Sequence, residues 1–208
     1  MSVYVTIGDL LDDGVVEATT GFPFGAHNSE GKGVAHIRPF NVSTDGDIRL
    51  DVVKSIPEEA AVNKPTLKRR DVVFNNTNSK ELVGKCALWG EAGEPVFSNH
   101  MTRVRVTSDT CDPAYLAFAM LHHWATGKSE MLARSHVAQA SIIGGRFREI
   151  EIPWRSTAEQ RAIGQVLAAV RASSQLQSRQ RAQAEVLKRE VGNVVFLRGL
   201  RIAAMKET

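Results

Sequence analysis

The sequence predicts an α+β fold in which one globular head, built on a curved mixed or antiparallel sheet with short helices, is followed by one long helix. Three observations carry this. The first 110 residues read as short β-rich runs punctuated by glycine and turn residues. A helix start stands at Asp112-Pro113. From Ser156 onward, about forty residues keep a helical pattern with almost no glycine or proline. The expected division is therefore a head over 1–155 and a helix with a short tail over 156–208.

In chain order, Val3-Tyr4-Val5-Thr6-Ile7 is a strand candidate, followed by a helical turn at Asp9-Leu10-Leu11. Glycine-rich sequence runs through Gly21, Gly25, Gly31 and Gly33 to Ala35-His36-Ile37-Arg38-Pro39, a strand that the proline ends. Asp45-Gly46-Asp47 is a turn into Ile48-Arg49-Leu50. Further strands are expected at Asp71–Phe74, Gly84–Trp89, Pro95–Ser98 and Met101–Val106. In the last, alternation places Thr102, Val104 and Val106 on one face and Arg103 and Arg105 on the other, which predicts a basic sheet face. Asp112 suits an N-cap and Pro113 a first turn, so a helix runs to about Gly127 with Leu116, Ala119, Met120, His123 and Trp124 as its apolar stripe. Lys128 to Gln139 reads as a second helix, 141–146 as a loop and Glu149–Ile152 as the strand that closes the head.

Ser156 and Glu159 then form a Ser-x-x-Glu capping box. A helix from Thr157 to Leu197 would be roughly 60 Å long. Its apolar residues fall into two blocks, Ile163-Val166-Leu167-Val170 and Leu187-Val191-Val194-Val195, around a polar centre from Ser173 to Gln183. The residues expected to dimerise are Ile163, Leu167, Val170, Leu187, Val191 and Val194, because an antiparallel pair of such helices lays one block on the other. Gly192 weakens the helix and marks a place for a kink.

The chain has 208 residues and no apolar run near the roughly twenty a membrane span needs. Residues 1–11 alternate polar and apolar before Asp12-Asp13, so no secretory leader is read and a cytoplasmic location is expected. Cys86 and Cys111, the only cysteines, make neither a disulfide framework nor a thiolate zinc site. His122 and His123 point about 100° apart on a helix and have no accompanying carboxylate or cysteine, so no metal site is read there. Charge is polarised: residues 1–60 hold four Lys/Arg against ten Asp/Glu, while the remainder holds twenty-two against thirteen. That asymmetry suits a basic surface facing phosphate.

No catalytic signature is present. Asn-Pro-Pro-aromatic, the run expected of an amino-methyltransferase, does not occur, and Gly84-Lys85-Cys86 and Gly127-Lys128-Ser129 lack the spacing of a phosphate-binding loop. Ser98-Asn99-His100 has no glycine-flanked elbow, and Glu58-Glu59 near Lys64 is a poor magnesium site. The chain is read as non-enzymatic, without cofactor or metal. Loop residues able to contact double-stranded DNA are better represented. The candidates are Lys68, Arg69, Asn76, Asn78, Lys80, Asn99, His100, Arg103, Arg134, Ser135, Gln139 and Arg146, with Arg70, Ser79, Ser98 and His136 beside them. Arg38 and Asn41, flanking Pro39-Phe40, are read as structural.

The order of several short segments resembles a known family. These are Ile7-Gly8-Asp9-Leu10, Gly33-Val34-Ala35-His36-Ile37-Arg38-Pro39-Phe40-Asn41, Asp71-Val72-Val73-Phe74 with Gly84-Lys85, and Ile150-Glu151-Ile152-Pro153 with Glu159-Gln160-Arg161-Ala162-Ile163. Together they resemble a target recognition domain and long helix of a type I restriction-modification specificity subunit. Leu197-Arg198-Gly199-Leu200-Arg201-Ile202 resembles the family's closing segment. Trp154-Arg155-Ser156 stands where the family commonly carries a second proline, and one head with one helix stands where it usually carries two of each. The resemblance implies a half-subunit without catalysis that directs a partner DNA methyltransferase, and with it a restriction or anti-phage effector, to a bipartite site. Its partners would be double-stranded DNA, the methyltransferase subunit, and either itself as an antiparallel homodimer or a second half-subunit. A stand-alone dimeric DNA-binding regulator is the alternative, and a small DNA-modifying enzyme is a third.

Overall fold

A computed structural model describes residues 3–135, 137 and 139–197 and divides the chain into a unit through Gln165 and a second unit from Val166. His136 and the closing segment from Arg198 lie outside the described residues.

The first unit is mixed α+β. Strand β1 (Val3–Thr6) leads into helix α1 (Ile7–Asp12), where Thr6 and Asp9 form a reciprocal cap: Asp9 N donates to Thr6 Oγ1 at 3.1 Å and Thr6 N to Asp9 Oδ2 at 2.7 Å. These bonds from Thr6 hold the Asp9 carboxyl below the usual range. Strands β2 (Val16–Thr20), β3 (Val34–Ile37) and β4 (Lys54–Ile56) follow, the last succeeded by the short helix α2 (Glu58–Ala61). Then come β5 (Val72–Asn75), β6 (Thr77–Asn78), β7 (Cys86–Leu88), β8 (Val96–Phe97) and β9 (Met101–Val106). Helices α3 (Pro113–Ala125) and α4 (Lys128–Leu132), strands β10 (Arg134–Ser135) and β11 (Ala140–Ser141), helix α5 (Gly145–Arg148) and strand β12 (Glu151–Trp154) complete it.

The central sheet has the order β2-β9-β5-β7 and is antiparallel throughout. Its alternating side chains feed two cores. Val72, Phe74, Cys86 and Val104 pack with Ile7, Leu10, Leu116, Met120 and Ile150. Val73 and Ala87 pack with Ile37, Leu67, Trp89, Phe97 and Met101, which brings in the β4-β3-β8 sheet, where β3 and β8 run parallel. Gly33, at φ +90°, opens β3; a Cβ there would stand 2.1 Å from Ile56 O, so only glycine fits. β1 pairs with β12 across the whole head, Val3 opposite Trp154.

Several expectations change. The basic face of β9 is not free: Arg105 donates to both carboxylate oxygens of Asp71 at 2.7 Å, and Arg103 donates to Thr66 O, Thr19 Oγ1 and Glu17 Oε1 at 2.9–3.0 Å. Both faces of this strand are packed, so its arginines hold the sheet to its edges. Lys128–Gln139 is helical only through Leu132; beyond it the chain turns into β10 and β11, which with β6 form a small sheet. Ile48 makes only an isolated bridge with Val42 instead of a strand. β2, β4 and β6 are short or edge strands without strong alternation, and sequence periodicity did not mark them.

The helix α6 (Thr157–Gly192) opens as expected, with Ser156 N donating to Glu159 Oε2 at 3.0 Å and Glu159 N to Ser156 Oγ at 3.4 Å. Gln160 is fully buried: its Oε1 accepts from Asp112 N at 2.9 Å and its Nε2 donates to Arg155 O at 2.9 Å. Asp112 in turn caps α3 by accepting from Ala114 N and Tyr115 N at 3.0 Å. Gly164, one turn on, lets α6 approach α3; a Cβ there would stand 2.9 Å from Asp112 Oδ1. After Gly192 the helix continues as a π turn, Asn193–Leu197.

Asp71 is 1% exposed and also accepts from Lys68 N at 2.6 Å. Replacing it with alanine strands the Arg105 guanidinium, and Asp71→Ala is expected to destabilise the head by about 3 kcal/mol. Urea unfolding of the variant against the parent measures this, and a loss under about 1 kcal/mol would mean that water replaces the carboxylate without cost.

Candidate nucleic-acid interface

Four stretches of chain converge on a cleft of about 980 Å³: the loop 23–27, the segment from His36 through Arg49, the segment 77–85, and 98–100 together with Gln139. None of its lining residues is acidic, whereas Arg38, Arg49 and Lys85 are basic. Such a concavity favours a polyanion.

The walls are held rigidly. Pro39–Asn41 is a 3-10 turn fixed by Asn41, which is fully buried; its Oδ1 accepts from Arg38 N and its Nδ2 donates to Arg49 O, both at 2.9 Å. That fastened turn holds Phe40 out at 77% exposure on the cleft wall. Lys85 is buried and donates from Nζ to Val42 O at 2.6 Å; desolvation, and then the Arg49 charge, lower its pKa. Arg49 forms an ion pair with Asp51 at 2.9 Å. His27 Nε2 and His36 Nδ1 lie 2.8 Å apart and share one proton. Burial, and then the neighbouring His27, depress His36 to about 4. His36 Nε2 and Arg38 Nε are buried without a hydrogen-bond partner.

The expected contact residues divide into four groups. Asn78, Asn99, His100 and Gln139 line the cleft, with Ser79 and Ser98. Arg134 and Arg146 line a second depression of about 460 Å³ with Ser141, Ile143 and Glu149, and Arg146 pairs with Glu149 at 3.2 Å. The small sheet links these two groups, because Ala140 pairs with both Asn78 and Ser135 while Ser141 pairs with both Thr77 and Arg134. Lys80 is exposed and paired with Glu130 at 3.0 Å. Lys68 and Arg69 are exposed but precede β5, whereas the cleft residues follow it, so they stand at the other end of that strand. Asn76 and Arg103 are buried structural groups; Asn76 Nδ2 donates to Thr102 Oγ1 at 3.0 Å. Asn41 has the structural role expected of it, while Arg38 belongs to the cleft wall. Phe40, Arg49 and the histidine pair were missed, because an aromatic beside a proline gives no sign in sequence of whether it faces a core or solvent.

On α6, Val170, Leu187 and Val191 are more than half exposed, Ile163 and Val194 are each 37% exposed, and Leu167 is half-buried. Among the described residues no group of three or more His, Cys, Asp or Glu is placed to hold a metal ion. No described helix is long and apolar enough to cross a membrane.

Comparison with known proteins bears on this arrangement. A crystal structure of the S subunit of a type I restriction-modification system from M. genitalium superposes with a TM-score of 0.66 at 15% identity, covering 96% of this chain and 47% of that one. This is the fold of a type I specificity subunit. A second such structure, from work on complex assembly and conformational transition of a type I R-M system, gives 0.60 at 17% identity over 93% of this chain and 44% of that one. The HsdS subunit of Thermoanaerobacter tengcongensis gives 0.52 over 87% and 39%. In sequence, a putative type I restriction enzyme MjaX specificity subunit of Methanocaldococcus jannaschii is 26% identical over 133 residues, 61% of this chain and 31% of the relative. No family model matches. The chain thus spans between about a third and a half of the proteins it resembles, and it carries one head and one long helix.

His36 and His123 are both depressed to about 4, burial being the first cause in each. Their folded pKa values lie below the ordinary histidine value of 6.5, so the unfolded chain takes up more protons between pH 6.5 and 4. Stability is therefore full above pH 6.5 and falls as pH drops through that window, by on the order of 2 kcal/mol per histidine. Urea unfolding at pH 7.0 and 4.5 should show this loss, and His36→Asn should reduce it by about half.

Proposed function

We propose that this chain is a half-length DNA specificity subunit of a type I restriction-modification system. On this reading it has no catalysis of its own and directs a partner methyltransferase, with or without a restriction or anti-phage effector, to a bipartite site. The observation that carries the reading is the coverage: nearly the whole of this chain superposes on less than half of a specificity subunit. A rigid, basic cleft without carboxylates in the head, and exposed apolar positions on α6, supply the two functions such a half needs. The cleft is the proposed reading surface. Asn78, Asn99 and Gln139 offer amide pairs suited to adenine edges, Arg38 and Arg49 offer guanidinium groups for guanine or phosphate, and Phe40 offers an apolar wall. Arg134, Ser135 and Arg146 extend it along the small sheet. Lys68, Arg69 and Lys80 are left as peripheral phosphate contacts. The helix is proposed to pair with another of its kind, so that two heads read two half-sites at a fixed gap.

Co-expression with candidate methyltransferase subunits, followed by purification and methylation mapping, tests this. The expected outcome is a stable complex that methylates a split motif. A chain that binds DNA specifically and recruits no methyltransferase would instead favour the stand-alone regulator.

Within the complex, Arg38→Ala or Gln139→Ala is expected to cost about 1–3 kcal/mol on the cognate site and to relax one base position, whereas Lys68→Ala should weaken all sequences alike and lower the salt slope by about one. Titrations at several salt concentrations separate the two behaviours. Equal, sequence-independent losses for all three would place the reading surface elsewhere. Deleting seven residues from the polar stretch 173–183 is expected to shorten the gap by about 10 Å, or three base pairs. An unchanged gap in an active shortened form would remove the ruler role of α6.

A further inference from the structure

The exposed face of α6 follows a strict seven-residue repeat. Taking Ile163 as position a, the core positions are Ile163, Val166, Val170, Ser173, Gln177, Gln180, Ala184, Leu187, Val191 and Val194, without a break in phase. On a straight helix these residues would not form one stripe, because a seven-residue repeat drifts by about 20° per heptad, or roughly 90° between Ile163 and Val194. They align only if α6 supercoils to the left around another helix of the same period, so a globular surface does not fit the pattern. The head uses a different side: Gln160 and Gly164, which are buried, fall at positions e and b.

The repeat also selects its partner. In an antiparallel coiled coil each a layer meets a d layer, and one register of α6 against itself matches throughout. Ile163 then meets Val194, Val166 meets Val191, Val170 meets Leu187, Ser173 meets Ala184 and Gln177 meets Gln180. A shift of one heptad either way sets Val170 on Gln180 or Leu187 on Gln177 and leaves one apolar block end uncovered. A parallel pair also matches layer to layer. It aligns the helix dipoles, however, and lays Arg179, Arg181, Lys188 and Arg189 beside their own copies. In the antiparallel register the flanking pairs are Leu167 with Lys188, Ser174 with Arg181 and Ala169 with Glu190, none of like charge.

We infer that α6 binds a second copy of this chain, antiparallel, with the two-fold axis passing between Ser178 and Arg179. This rests on the reading of α6 as a pairing helix and adds the partner and the register. The central glutamine layers fix the alignment, since any slip buries an amide against an aliphatic side chain. Each helix start lies about 60 Å from its counterpart along the shared axis.

Engineered cysteines test the register. Cys86 and Cys111 are buried, so exposed helix positions dominate oxidation. Full-length Val166→Cys and Val191→Cys chains, carrying different tags, are mixed, equilibrated, oxidised and read on non-reducing gels, and sedimentation gives the oligomeric state. The expected result is a disulfide dimer in the mixture, at least ten times more abundant than in either chain alone. Strong self-linking of Val166→Cys shows a parallel pair and overturns the inference. A sedimenting dimer that links 166 to a position other than 191, or that gives no 166–191 link, overturns the register while the pairing role survives. A strict monomer at tens of micromolar, or a chain that dimerises only with a different half-subunit, overturns self-association itself.

Discussion

The junction between the head and α6 depends on one buried amide. Gln160 accepts from Asp112 N and donates to Arg155 O, while Asp112 caps α3 and Gly164 leaves room for α3 beside it. Three helix and strand ends therefore meet at a single side chain with no exposure to water. Removing any member leaves a buried donor or acceptor unpaired, which costs more than the bond itself contributes. Tyr115 reinforces the same corner by donating from its hydroxyl to Pro153 O. The direction in which α6 leaves the head is set here. Trp154-Arg155-Ser156 performs the task without a second proline: Arg155 supplies the carbonyl and Ser156 the cap.

Charge in the head serves two opposite purposes. Arg103 and Arg105 are spent internally on Glu17, Asp71 and backbone oxygens, tying the central strand β9 to β2 and to the start of β5. At the other end of β5 the chain gathers Arg38, Arg49 and Lys85 around a concavity whose lining has no carboxylate. Linear counts of lysine and arginine cannot separate these uses, because the difference lies in whether an acidic partner is supplied from another strand.

The sequence was informative where local chemistry decides structure. The Asp112-Pro113 start, the Ser156–Glu159 cap and the alternation of β9 all rest on interactions within a few residues, and each has its expected backbone form. The small sheet of β6, β10 and β11 was misread as helix after Leu132, since two-residue strands have no periodicity and exist only through pairing with a segment some sixty residues away. For the cleft, polar loop residues near Asn78, Asn99 and Gln139 were legible as a group, but their convergence with Arg38 and Phe40 depends on that same long-range pairing. The burial of Asn76 and Arg103 was invisible for the same reason: a residue's type does not reveal which strand will cover it.

The pairing of β1 with β12 has a further consequence. Val3 lies opposite Trp154, so the polypeptide enters the head beside the point where it leaves for α6. A body whose entry and exit are neighbours can be lifted out and another of the same kind set in its place without redirecting the helix that follows. Such a layout lets recognition surfaces be exchanged as cassettes, and lets copies be strung in tandem, while the spacing element keeps its own sequence and path.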